Sequence, residues 1–68
     1  MNLREKFSNN VRKFRTKQRL SQEELAEKAG LHRTYIGSVE RGERNITIAV
    51  MEKISIALKR PITDFFKE

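Results

Sequence analysis

The chain has 68 residues, with 15 Lys and Arg against 9 Asp and Glu, a net charge of +6 and no cysteine. That length predicts a single domain over residues 1–68 with a small core, and the lack of cysteine excludes a disulfide framework and a thiolate metal site. No apolar run approaches the roughly 18 residues of a membrane span, and the charged start "MNLREKFSNN" has no signal-peptide core, so a cytoplasmic protein with no membrane role is expected.

The charge is uneven. Residues 1–20 hold seven bases and one acid, whereas residues 21–32 hold one base and three acids. A basic excess points to nucleic acid or an anionic membrane surface, with plain solubility as the bland alternative. Apolar spacing is helical nearly throughout. Leu3, Phe7, Val11 and Phe14 recur at steps of four, four and three, one face of a helix, which Asn2 can cap with Glu5 as its capping-box partner. Ser21 and Glu24 form a second capping box, so the next helix starts near Gln22 and turns Leu25, Ala26 and Ala29 inward. Gly30 supplies the positive-φ stop. A third helix restarts by Arg33, with Ile36 and Val39 inward, and ends near Arg41 with Gly42 as the stop. Thr47 can cap a fourth helix running to about Lys59, with Ile48, Met51, Ile54, Ser55 and Leu58 as its core face. Arg60-Pro61 breaks it, and Thr63 is the candidate cap of a last turn carrying Phe65 and Phe66. No stretch alternates like a strand, so the expectation is all-α, with five short helices.

The second helix, the Gly30 turn and the third helix have the size of a helix-turn-helix. Small Ala26 sits where the helices must approach, and the third helix keeps Arg33, Thr34, Tyr35, Gly37, Ser38 and Arg41 facing outward. A major groove admits such a helix, with its first residues on base edges. Arg pairs bidentately with guanine, and Thr meets the thymine methyl. Tyr35 offers a planar face and a hydroxyl, and packing into the core is its competing role. Ser38 completes the proposed base-reading set, and Arg41 is assigned to the DNA backbone. Arg12, Arg15 and Arg19 recur on the first helix as a candidate phosphate track, of which Arg15 and Arg19 are selected.

Residues 20–42 resemble the helix-turn-helix of the phage-repressor (Xre, or Cro/CI-type) family. The residues that carry this are Ser21-Gln22-Glu23-Glu24-Leu25-Ala26, Ala29-Gly30-Leu31, Arg33-Thr34-Tyr35-Ile36 and Val39-Glu40-Arg41-Gly42. The likeness continues through Arg44-Asn45 to the Pro-Ile-Thr-Asp-Phe-Phe ending, and "RTYI…ERGERN" is most similar to controller proteins of restriction–modification operons. The resemblance implies a compact five-helix bundle of the lambda-repressor type. It implies Gln22 on the DNA backbone, Arg33, Thr34 and Tyr35 over the bases, Arg44 and Asn45 on phosphate, and Glu40 paired within the fold. His32 departs from the Ser or Thr usual at its position, and histidine is a poorer cap; either the helix starts differently or His32 faces phosphate.

The function expected is therefore a sequence-specific transcription regulator on double-stranded DNA, with RNA polymerase as a further candidate partner through the acidic patch Glu23, Glu24 and Glu27. An antitoxin or phage-type repressor acting partly through a protein partner is the alternative. An enzyme is not expected: there is one histidine, no glycine-rich phosphate loop and no evident carboxylate pair, and no cofactor or metal is implied. The basic first helix could also lie on a membrane surface, but Phe7 and Phe14 are more economically core. Finally, Ala49, Val50 and Ile56 leave the fourth helix apolar opposite its core stripe. With Phe65 and Phe66 they are the candidate interface of a homodimer, and hence of a pseudo-palindromic operator with half-sites about 10 bp apart.

Overall fold

Asn2 opens the first helix, and the capping box anticipated for it is present: its Oδ1 accepts the Glu5 N–H at 2.8 Å, while its own N–H donates to the Glu5 carboxylate at 3.2 Å. The computed structural model describes residues 2–67. Among these it contains four α-helices, α1 (Leu3–Lys17), α2 (Gln22–Ala29), α3 (Arg33–Glu40) and α4 (Ile48–Ala57), followed by a 3-10 helix, Ile62–Phe66. No strand occurs among the described residues. The fifth element is thus a 3-10 turn rather than a fifth α-helix. It is preceded by Pro61 and has no side-chain cap, so Thr63 does not cap it. α4 stops at Ala57, short of Lys59, because Lys59 takes a left-handed φ of 56° that a continuing helix does not allow.

Ser21 and Glu24 exchange side-chain and backbone bonds at the start of α2, at 2.8 and 3.0 Å. Those bonds from Ser21 hold the Glu24 carboxyl below the usual carboxylate range. Gly30 closes α2 at φ +68°, and the Leu31 N–H returns to the Ala26 carbonyl at 2.8 Å. That one left-handed residue sends the chain from α2 into α3 without a longer loop.

The core draws on every element. Phe7, Val11 and Phe14 of α1 meet Leu25 and Ala26 of α2, Ile36 and Val39 of α3, Ile54 and Leu58 of α4, and Phe65. Phe65 stacks obliquely on Phe7 at 5.2 Å and edge-on against Phe14 at 5.1 Å. Asn10, itself buried, fixes this closing turn by donating to the Phe65 and Lys67 carbonyls at 2.8 and 2.9 Å. Phe65 is therefore core, fully enclosed, and leaves the set of interface candidates. Ile48 makes the opposite move. Expected on the core face of α4, it stands 79% exposed, because it lies at the first turn, beyond the span that Ile54 and Leu58 cover. Val50 is half-buried against the core and Phe66 is half-buried beside Phe7.

Candidate nucleic-acid interface

α2 and α3 meet through Leu25, Ala26, Ile36 and Val39, all buried. Their packing leaves the first turn of α3 outward, with Arg33 and Thr34 exposed. His32 caps that turn after all: its Nδ1 accepts the Thr34 N–H at 3.1 Å. The helix therefore starts at Arg33 with an imidazole in place of a hydroxyl cap. Beside it, Glu23, Glu27, Leu31, His32 and Arg33 line an open cleft between α2 and α3.

Behind the presented face lies one charged hub. The Glu40 carboxylate, with its side chain 4% exposed, receives Arg15 at 2.6 and 3.0 Å and the Gln22 amide at 3.1 Å. The bond to Glu40 holds the Arg15 guanidinium above its ordinary pKa, against the opposing effect of burial. Arg15 also donates to the Leu20 carbonyl at 2.8 Å. α1, the α1–α2 turn, α2 and the end of α3 are thereby tied through one carboxylate. Glu40 is paired within the fold, as anticipated, but its partner is an arginine assigned to the phosphate track.

Residues 11–65 match the helix-turn-helix family. The chain belongs to that family. Within it, the chain is similar to control proteins, among them a restriction–modification controller protein. It is 50% identical to the control protein C.SmaI of Serratia marcescens over 62 residues, 91% of this chain and 74% of that one. It is 50% identical to the control protein C.BamHI of Bacillus amyloliquefaciens over 84% of this chain and 72% of that one. Among solved structures it superimposes on the restriction–modification controller protein C.AhdI from Aeromonas hydrophila with a TM-score of 0.89, at 41% identity, over 93% of this chain and 96% of that one. Proteins of this family are regulators, in accord with the expectation of no catalytic activity.

Arg33 and Thr34 stand free at the front of α3, and Tyr35 is half-buried, its ring packed on the core and its outer side covered by Arg44 at 5.1 Å. Ser38 is 5% exposed, and its hydroxyl is taken up by the Tyr35 carbonyl and by Arg44; it is withdrawn from the base-reading set. Arg15 is withdrawn from the phosphate track because Glu40 already neutralises it with its side chain only 12% exposed. Arg12 and Arg19 remain exposed, as does Gln22, although its amide is anchored on Glu40. Arg41 pairs with Glu43 at 3.1 Å on an open surface, where such a pair holds weakly. Asn45 is exposed in the loop after α3, with its Oδ1 accepting Arg4 at 3.1 Å. That link from Arg4 was not foreseen, since 41 residues separate the partners and no periodicity connects them. Gly37 is buried under the Gln22 and Arg41 side chains, whose ends lie 3.5 and 3.2 Å from where a Cβ would stand. Among the described residues no cluster of His, Asp and Glu could hold a metal ion.

Proposed function

We propose that this chain is a sequence-specific DNA-binding transcription regulator, that it acts as a homodimer on a pseudo-palindromic operator, and that the operon it controls is a restriction–modification operon. The observation that carries this reading is the exposed first turn of α3, where Arg33 and Thr34 project from a helix braced by α2. Bidentate Arg and a Thr methyl are suited to base edges. The control-protein relatives support the choice of operon. A cytoplasmic location follows from the DNA partner; no helix among the described residues is long and apolar enough to cross a membrane.

The test is selection of bound sites from a random DNA pool, followed by footprinting. A pseudo-palindrome with half-sites about 10 bp apart is expected. Binding to selected and random duplexes should weaken steeply with salt, by about 0.9 in log–log slope for each phosphate neutralised. Affinity that barely moves with salt would overturn the DNA reading. On the selected operator, Arg33→Ala is expected to cost about 1–3 kcal/mol and to relax preference at one base pair. Arg41→Ala should weaken all sequences more evenly. An Arg33→Ala variant with unchanged preference removes Arg33 from the readers.

RNA polymerase is the second proposed partner. Glu24 is spent on the α2 cap, which leaves Glu23 and Glu27 exposed on α2 beside the reading helix. Glu27→Lys is expected to leave operator affinity intact and to lower transcription from the controlled promoter. Unchanged transcription would leave repression alone.

A further inference from the structure

Three arginines around the motif are paired or bridged within the fold, Arg15 by Glu40, Arg41 by Glu43 and Arg4 by Asn45, whereas Arg12, Arg19 and Arg33 are simply exposed. Arg44 differs. It is held on two sides, yet no acid pairs with it among the described residues. Its Nε donates to the Ser38 Oγ at 3.0 Å, and its guanidinium lies 5.1 Å from the centre of the Tyr35 ring. The Ser38 hydroxyl has one proton, and that proton is committed to the Tyr35 carbonyl at 2.7 Å. The Oγ lone pairs are thereby left to accept from Arg44. Ser38 and Tyr35 stand three residues apart, neighbours on one side of α3. Together they seat a loop arginine against the recognition helix with both terminal Nη groups free.

We infer that Ser38 is a positioning residue that presets Arg44 as a specificity-determining contact, with Tyr35 as the platform. This rests on the DNA-binding reading above. A guanidinium fixed before binding loses less rotamer freedom when it engages its target. The gain belongs to the operator whose groups align with the fixed fork. On random duplexes the fork meets no aligned partner, and Arg44 contributes only its charge.

The test has a DNA-free arm and a DNA arm. In the free protein, NMR should find the Arg44 Nε–H protected from exchange and shifted by the Tyr35 ring, with Ser38→Ala losing the protection. In the DNA arm, Ser38→Ala should weaken the selected operator about three- to tenfold, the effect of one hydrogen bond to a charged group, with little change on random DNA. Arg44→Lys keeps the charge but lacks the Nε, so Ser38→Ala on that background should cost nothing more. Ser38→Cys, which keeps the small volume with a much weaker acceptor, replaces Ser38→Ala should the alanine variant not fold. A selective wild type with an unaffected Ser38 variant, or losses that simply add on the Arg44→Lys background, would overturn this inference alone. A wild type that does not discriminate the selected operator from random DNA would overturn the regulator reading and this one with it.

Discussion

Ile56→Lys is expected to give a folded monomer that binds the full operator on the order of 100-fold or more weakly, because two linked half-sites no longer act together. The reason lies on the outer arc of α4. At 100° per residue, Ile48, Glu52, Ile56, Ala49 and Lys53 follow one another around about 140° of the helix, and all five are exposed. Ile56 is 70% exposed and Ile48 79%, so two large aliphatic side chains stand in water on one face, with Ala49 beside them. Single exposed apolar residues are ordinary; two isoleucines and Ala49 on one arc, with Glu52 between the isoleucines and Lys53 at the edge, have the make-up of a small, mixed isologous patch. The interface we propose is therefore Ile48, Ala49 and Ile56, with Phe66 at its margin, without Phe65 and without Val50 as a principal member. A lysine in the centre of that patch places two like charges near the twofold. Far-UV circular dichroism should be unchanged, since Ile56 takes no part in the core. Sedimentation equilibrium decides the matter: a wild type that stays monomeric at tens of micromolar, or a variant that stays dimeric, refutes this interface.

Glu40→Gln is expected to destabilise the fold by about 3 kcal/mol, because it strands the Arg15 guanidinium in a largely enclosed site without its counter-charge. For a domain this small, that is a large part of the total stability, and the melting temperature should fall by more than about 10 °C. The Gln22 amide keeps at most a neutral acceptor there, so its link from α2 to the end of α3 should weaken as well. The double variant Arg15→Met, Glu40→Met separates the two possible origins of the loss. If the penalty comes from the uncompensated charge, the double variant should be more stable than Glu40→Gln, since apolar replacement of both partners of a buried pair is often neutral. If it melts lower than the single variant, the network contributes through its hydrogen bonds and not merely by charge balance. A Glu40→Gln protein that melts with the wild type would show that Arg15 finds enough water to do without Glu40.

Much of the fold was legible in the residues alone, and the reason is that its signals are local. Asn2 with Glu5, Ser21 with Glu24, and Thr47 with the Val50 N–H are interactions over three residues. They mark helix starts whatever the rest of the chain does. Gly30 likewise ends α2 because it alone takes a left-handed φ there at no steric cost. The helix-turn-helix, its buried Ala26, Ile36 and Val39, and the outward Arg33 and Thr34 follow from those local signals and from 3.6-residue periodicity.

What the sequence by itself determined was thus where each helix begins, which family the motif resembles and which turn it presents. What only the tertiary structure decided was how side chains of one type divide between tasks. Arg15 and Arg19 look alike on α1 by spacing, yet Arg15 is claimed by a carboxylate 25 positions away. Ser38 sits on the outward side of α3 by periodicity, yet the return of Arg44 across it closes it off. Phe65 and Phe66 are adjacent and identical, and Asn10 of α1 fixes the turn that buries the first fully and the second only in part. α4 carries apolar residues around most of its circumference, so no moment tells Ile48 from Ile54 until the other helices cover one arc and leave the other bare. Each of these outcomes depends on groups brought together from far apart in the chain, and local spacing does not encode which of several similar side chains the distant partner will meet.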